Sequence, residues 1–578
     1  MDKKLTTDNY QSSAYPFAIR FFNELKALGV TEVAVSPGSR NTPLVLAAEV
    51  TGLNVKVFLD ERVAGFYALG HAKVTKSPVV LICTSGTALA NYLPAVIEAN
   101  HSGVPMIVCS ADRPPELRQW GAGQTIDQVQ IYGSNVRWFY DLPVANNADP
   151  SQAQNIAIRA WDRSVAGRGP IHLNWPLREP LEPLEPLTDL VVPKANLKPF
   201  DSTTFSDAGA QRLMQLGEKY QNGIISVGPN DLDDNEIRKI SLFSEVVKWP
   251  IIADPASQIR GQAVSETVIN SGEVLCGSLP FTESLRSLDV VIHIGLAPTS
   301  KAYRRWLSMN PPEHHILISP TVDWVDPSNS VTEAYYGDLF FPYSESSETV
   351  RPHSEWLEHW KRGNAVATSI VQKHLQDDHN ELSILNAVME GVDDEVRLML
   401  SNSMIIRDAE LAFTHNAIPF RTLCNRGANG IDGIISTSLG ASFGSEEKVI
   451  CLIGDVATTH DFGGILASIR LEAEMTVVIL DNGGGGIFSF LPISNAVNKE
   501  QFDKYFQTAP LLPFVEVLKS LRIDVSTPQT VKELKAEVTK TMSKSGLSII
   551  YYQSDTDSTL RAFGSIRDEF NQEFGQEV

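Results

Sequence analysis

At 578 residues the chain is too long for a single hydrophobic core and should divide into about three domains. Its composition is globular, 43% apolar and 20% charged, and a net charge of -21 argues against an extended nucleic-acid or anionic-membrane surface, because either needs a basic face to replace counterions. Any anionic substrate must therefore meet local clusters of Arg or Lys. Cys83, Cys109, Cys276, Cys424 and Cys451 form an odd set without a CxxC pair, and four of them lie in or beside apolar runs. They read as reduced core residues of a cytoplasmic protein, not as a disulfide frame or a zinc site. The start, MDKKLTTDNYQSS, has no apolar signal core, and no apolar run approaches membrane-spanning length, so no membrane insertion is expected.

The first third alternates helix and strand patterns. Helical spacing runs from Tyr15 to Leu28, a short strand from Glu32 to Ser36 ends in SPGSRNTP, and a helix resumes from Leu44 to Val50. Then come VKVFL as strand, DERVAGFYALGHAKVT as helix, PVVLICTSG as strand, ALANYLPAVIEANHS as helix and VPMIVCSAD as strand. This is the pattern of a doubly wound parallel sheet, assigned to a domain over 1–185. A Pro- and Leu-rich connector, REPLEPLEPLTDLVVPKANLKPF, closes it.

The middle third repeats the style with GIISVGP, a helix near Asp234 to Lys248, PIIADP, VVIHIGLAPTSKAYRRWL and HILISP, giving a second α/β domain over 200–345. A dinucleotide would want GxGxxG after the first strand and an acid about twenty residues on, and neither is present. The domain therefore reads as largely structural apart from the loop holding Lys301. His314 and His315, adjacent ahead of a strand, read as solvent-facing rather than metal-binding.

A polar stretch from Tyr343 to His353 marks the second boundary, and the last third is assigned to a domain over 355–578. Within it, KVICLIGDVATTHDFGGILASIRLEAEMTVVILDNGGGGIFSFL reads as strand, helix from Phe462 to Glu472, and strand. A right-handed crossover joins parallel neighbours, so Asp455 and Asn482 should emerge side by side at the carboxyl edge where open α/β sheets bind ligands. A carboxylate, an amide oxygen and the carbonyls of Gly483 to Gly486 are hard oxygen ligands suited to Mg2+ and a phosphate. An ordinary strand-end turn is the commoner fate of such a stretch.

Gly-Asp, a segment of this length, and Asn at the end of the next strand resemble the signature of thiamine-diphosphate enzymes. The resemblance implies three doubly wound parallel-sheet domains, thiamine diphosphate with Mg2+ (or Mn2+) as cofactors, and Asp455, Asn482 and the Gly484 carbonyl as metal ligands. Ser403, Gly454, Ile487 and Phe488 would complete the cofactor cradle. Glu61 opens a helix directly after VKVFL, and a helix-start carboxylate favoured by the macrodipole is the commoner reading. The resemblance instead makes it the acid that hydrogen-bonds the cofactor's pyrimidine ring and promotes removal of the thiazolium proton. Ile431, between glycines in NRGANGIDG, is either core packing or, by the resemblance, the wedge that bends the cofactor.

SPGSRNTP, LDERVAGFYALG, TSGTALAN, SADRPPELR with GAGQTIDQ, NSMIIRD, NRGANGIDG and GGGGIFSFLP, in that order, are similar to motifs of menaquinone-pathway members of this family. Such enzymes decarboxylate 2-oxoglutarate and add the succinic semialdehyde unit to isochorismate. Both substrates are multiply anionic, which assigns Ser39, Arg40, Lys301, Arg407 and Arg426 to them, the Arg fork being suited to carboxylates. Gln124 becomes a hydrogen-bond donor, and Phe488 and Leu491 apolar walls. The catalytic set is then Glu61, Arg40, Gln124, Arg407 and Arg426. Gly123 stands where some relatives carry Asn, and Ala302 where some carry Arg, so one cationic contact to the second substrate is either absent or supplied elsewhere, by Arg304 or Arg305. The rivals are another thiamine-dependent carboligase or decarboxylase, and a catalytically dead cofactor-binding regulator, against which the retained Glu61 argues. The family architecture further implies a homo-oligomer with the cofactor between subunits.

Overall fold

The computed structural model describes residues 14–145, 150–183, 207–260, 265–321, 323–337, 353–413 and 420–577. The connector expected after the first domain runs largely through residues 184–206, and most of the polar boundary expected at 343–353 likewise lies outside the described residues.

The described residues build three six-stranded sheets in which every strand pair is parallel. The first holds β1 (Glu32–Val35), β2 (Asn54–Val57), β3 (Val79–Cys83), β4 (Met106–Asp112), β5 (Trp138–Asp141) and β6 (Pro170–Pro176), in the order 2-1-3-4-6-5. The second holds β7 (Gly223–Val227), β8 (Ile251–Ala253), β9 (Val268–Ile269), β10 (Val290–Ile294), β11 (His314–Ser319) and β12 (Glu333–Tyr336), in the order 12-11-10-7-8-9. The third holds β13 (Val396–Leu400), β14 (Phe420–Leu423), β15 (Lys448–Gly454), β16 (Met475–Asp481), β17 (Asp524–Ser526) and β18 (Leu547–Gln553), in the order 14-13-15-16-18-17. First and third sheets thus share one winding. Their central strands are buried along nearly their whole length, as expected where helices cover both faces.

The chain forms two compact units. One contains the first sheet together with residues Gly427–Glu446 and Asp461–Ala473. Its core gathers Phe17, Phe21 and Phe22 against the sheet, with Trp175 of β6 edge-on to Phe17 and Phe21 at centroid distances of 5.7 and 5.1 Å. Helices Glu61–Thr75 and Ile434–Gly444 meet at glycines in this unit: a Cβ on Gly70 would lie 1.9 Å from the Thr437 carbonyl oxygen, and one on Gly440 1.9 Å from that of Tyr67. The other unit contains the second and third sheets.

Strand, helix and strand alternate as expected, and all five cysteines are free. Two details differ. The crossover helix after β15 begins at Asp455 itself, breaks at Asp461 and resumes over Phe462–Arg470, because the Asp461 carboxylate turns inward to accept from the backbone and hydroxyl of Ser436, both at 2.7 Å. His315 is not solvent-facing: it sits in β11 and is buried, its Nδ1 2.7 Å from Ser330 Oγ, with burial pushing its pKa down to about 4. Alternate residues of a strand face opposite sides, and both sides of this one are covered. Among the described residues no helix is long and apolar enough to cross a membrane.

The glycine contact sets a stability test. Gly440→Ala should cost about 1–3 kcal/mol through overpacking, whereas Gly564→Ala, in a helix with nothing within 4 Å of the new Cβ, should stabilise by about 0.5–1 kcal/mol through helix propensity. Calorimetric Tm values for the two variants, moving in opposite directions, check the packing.

Candidate active site

β15 and β16 are paired in register, Ile453 opposite Ile479 and Gly454 opposite Leu480. The chain leaves both strands at the same edge, which brings Asp455 and Asn482 together as the spacing predicts. Asp455 is 2% exposed. Its Oδ1 accepts from the Val456 N–H at 2.8 Å, while its Oδ2 is buried with no hydrogen-bond partner. Asn482 donates its Nδ2 to Glu381 Oε1 at 2.8 Å, and its Oδ1 is likewise buried and unpartnered. Buried oxygens are rarely left unsatisfied, so two together on one sheet edge ask for a ligand. One anionic and one amide oxygen fit a hard divalent cation. Among the described residues no group of three or more His, Cys, Asp or Glu offers an alternative metal site.

The glycine run shapes the rest of this edge. Gly484 has φ +126, and a Cβ there would lie 2.0 Å from the Gln507 carbonyl oxygen, so only glycine fits without displacement. Its own carbonyl accepts from the Gly486 N–H at 2.9 Å and keeps a lone pair for a second interaction. Asp481, just before Asn482, is satisfied by Tyr551 Oη at 2.5 Å and the Gly483 N–H at 2.9 Å. Gly486–Phe490 forms a single helical turn that leaves Ile487 and Phe488 half-buried and is followed by the exposed Leu491; Phe488 lies 5.5 Å from Phe506, ring to ring.

The cations of the same unit gather at the end of β13. Ser403 adopts φ +70, uncommon for a residue with a side chain, and its carbonyl accepts from Arg407 Nη1. Arg426 donates from Nη1 to Asn402 Oδ1 at 3.0 Å and leaves its Nε buried without a partner. Arg407 is held below its ordinary value by burial and then by the nearby Arg426 and Arg304 guanidiniums. Like charges kept close in a partly buried place lower their mutual repulsion by meeting an anion. Lys301 opens the helix Lys301–Met309, exposed at a cavity lined also by Arg304, Arg305 and His293.

In the other unit Glu61 begins its helix half-buried, after Asp60, whose carboxylate caps by accepting from the Arg62 N–H at 2.8 Å. The Asn91 amide reaches Glu61 only at 3.5 Å. Gln124, at φ +55, donates to the Ser85 carbonyl at 2.9 Å. Ser39 is exposed, whereas Arg40 is 7% exposed and already engaged: it donates to the Leu177 carbonyl and to Glu179 Oε1, both at 3.0 Å, leaving Nε as its buried unpartnered donor. Ile431 is half-exposed in the turn ahead of the helix Ile434–Gly444.

Sequence reasoning missed Glu381 and Asp481. Glu381 follows Asn380, which caps the helix Glu381–Gly391, and so reads as an ordinary helix start. Nothing along the chain links it to Asn482. Its neighbour Asp408 is fully buried, pushed well up by burial and then by the Glu381 charge.

Three consecutive stretches match the thiamine pyrophosphate enzyme family: its N-terminal TPP binding domain over residues 18–131, the middle domain of thiamine pyrophosphate over 203–400, and its C-terminal TPP binding domain over 411–552. The chain is 36% identical over 564 residues to the 2-succinyl-5-enolpyruvyl-6-hydroxy-3-cyclohexene-1-carboxylate synthase of Listeria monocytogenes, covering 94% of this chain and 95% of the relative. It belongs to that synthase family. The synthase of Geobacillus thermodenitrificans is 35% identical over 576 residues, 97% of each chain, and that of Oceanobacillus iheyensis 33% identical over 568 residues, 96% of this chain and 97% of the relative. The three sheets are the N-terminal, middle and C-terminal domains of this synthase family.

The burial of Asp455 has a consequence that can be measured. Burial and then the Asp481 charge push its carboxyl up. A folded value above the unfolded one stabilises the metal-free fold at low pH, and that contribution is lost as pH rises through the folded value. Asp455→Asn should therefore flatten the fall in metal-free Tm between about pH 4 and 8, raising Tm at the upper end by a few degrees relative to the parent. Parallel Tm profiles for the two proteins would refute the raised carboxyl.

Proposed function

We propose that this chain is a thiamine-diphosphate-dependent transferase of menaquinone biosynthesis, decarboxylating 2-oxoglutarate and joining the four-carbon remainder to isochorismate to give 2-succinyl-5-enolpyruvyl-6-hydroxy-3-cyclohexene-1-carboxylate and CO2. The observation that carries this reading is the near full-length likeness to synthases of that name, together with the unpartnered oxygens of Asp455 and Asn482 at the edge of the third sheet. When bound, thiamine diphosphate supplies the ring carbon that attacks the 2-oxoacid and accepts the electrons released with CO2.

The chain's own residues take the following parts. Asp455, Asn482 and the Gly484 carbonyl would hold Mg2+ or Mn2+; Ser403, Gly454, Ile487 and Phe488 would line the cofactor's cradle, and Ile431 would supply its apolar wedge. Glu61 holds a proton at the pyrimidine nitrogen. Arg407 and Arg426 face the donor's carboxylates, and Arg40 with Lys301, Ser39 and Gln124 face the acceptor, with Leu491 as an apolar wall. Because Ala302 carries no charge, Arg304 is the better source of a further cation, being close enough to Arg407 to depress it. The protein acts as a homo-oligomer in the cytoplasm, one subunit contributing Glu61 and another the metal ligands to each site. Its free cysteines suit a reducing compartment.

Mass spectrometry of the product made by the purified protein from 2-oxoglutarate and isochorismate, with thiamine diphosphate and Mg2+, tests the reaction. CO2 release from pyruvate with no coupled product from isochorismate would replace it with that of a simpler carboligase. Glu61→Gln should retain cofactor binding by titration yet lose about 10^2- to 10^4-fold in turnover, and near-parental turnover would remove Glu61 from proton transfer. Alanine variants of Arg40, Lys301, Arg407 and Arg426 should each lose about ten- to hundredfold in kcat/KM, the yield of a charge-assisted contact. Separate assays of CO2 release and of coupled product sort donor-side residues from acceptor-side ones.

A further inference from the structure

Glu381 is a buried carboxylate to which the proposed reaction assigns no part. It is 2% exposed and begins the helix Glu381–Gly391 in the unit that holds the third sheet. Its backbone N–H donates to Thr559 Oγ1 at 3.0 Å, and its Oε1 accepts from Ser554 Oγ at 3.0 Å and Asn482 Nδ2 at 2.8 Å. The loops that carry these partners are themselves tied together, Ser554 N–H to the Asp481 carbonyl at 2.9 Å and Asp555 N–H to the His379 carbonyl at 2.8 Å. Glu381 therefore has little freedom to move.

We propose that Glu381 is a positioning residue that holds the Asn482 amide with its nitrogen turned inward and its oxygen turned out to the divalent metal. The inference rests on the metal site assigned above. Its physical basis is that an amide has two nearly isosteric ends, and only one can ligate a cation. A carboxylate accepts and does not donate, so it selects the NH2 end and leaves Oδ1 for the metal. That is the orientation found here, with Oδ1 buried and unpartnered. Without Glu381, the amide can flip at small cost and present two N–H donors to the cation. The amide also needs room: a Cβ on Gly486 would lie 2.7 Å from Asn482 Nδ2 and 3.0 Å from Thr556 Oγ1, so the group fits only because position 486 has no side chain, while the choice between its two ends falls to Glu381. Partners behind a metal ligand commonly matter about 10- to 100-fold in metal affinity.

The test is Mn2+ binding in the presence of thiamine diphosphate, followed by the electron paramagnetic resonance of free Mn2+, beside the metal-free Tm. Glu381→Ala should raise the Mn2+ Kd about 10- to 100-fold. Glu381→Gln, which keeps the shape and loses the charge, should raise it several-fold while the metal-free Tm stays within a few degrees of the parent. On an Asn482→Ala background, Glu381→Gln should change the Mn2+ Kd no further, because the residue acts through that amide. An unchanged Kd in Glu381→Gln, or an effect that adds fully to that of Asn482→Ala, overturns the proposal. If Asp455→Ala also leaves Mn2+ binding unchanged, the metal site itself is misplaced; if Asp455→Ala weakens binding and the Glu381 variants do not, only the role of Glu381 falls.

Discussion

The parallel pairing of β15 with β16 is the constraint from which the candidate metal site follows. Two strands in register end at one level, so residues more than twenty positions apart in the chain arrive side by side with their backbones fixed by the ladder. Neither Asp455 nor Asn482 then needs a loop to hold it. The glycines after β16 supply what strands cannot, a backbone that turns sharply beside Gln507 and leaves room for the amide at 482. The cost of this arrangement in the metal-free chain is electrostatic, since Asp455 and Asp481 are close and one of them is nearly fully buried.

The opposite problem is met at the end of β13. An acidic chain can meet a polyanion only where cations are concentrated locally, whatever its overall charge. Arg407 and Arg426 are near enough to oppose each other's charge, and a left-handed Ser403 lends its carbonyl to Arg407. Arg40 differs: both terminal nitrogens of its guanidinium already donate, to Leu177 and Glu179, and only Nε is a nitrogen without a partner. The cations singled out by motif are thus unequal, those of the third sheet more available than that of the first.

The middle sheet carries the 3-2-1-4-5-6 order of dinucleotide-binding folds, counting its own strands from β7, yet lacks the glycine fingerprint that would cradle a pyrophosphate. Topology alone therefore assigns it no ligand. Its packing is ordinary for a covered parallel sheet, and it is that covering which buries His315.

Much of this protein was legible in the linear sequence because its signals are local. Apolar runs ending in Gly-Asp and Asp-Asn marked β15 and β16, and the alternation of periods marked the α/β class before any strand was placed. The rule that crossovers are right-handed and parallel was enough to bring Asp455 and Asn482 to one edge. Short or half-exposed strands such as β5 and β17, and the helices beyond Leu491, were not read, since they carry too little apolar pattern to stand apart from loops. What only the tertiary structure decided is which polar atoms have partners. The pairing of Glu381 with Asn482 joins residues about a hundred positions apart, the Asp461 carboxylate meets Ser436 between two helical segments of which the pattern showed only the second, and the engagement of Arg40 with Glu179 spans most of a domain. Hydrogen bonds of that reach depend on side-chain directions and on the exclusion of water, which residue order along the chain does not encode.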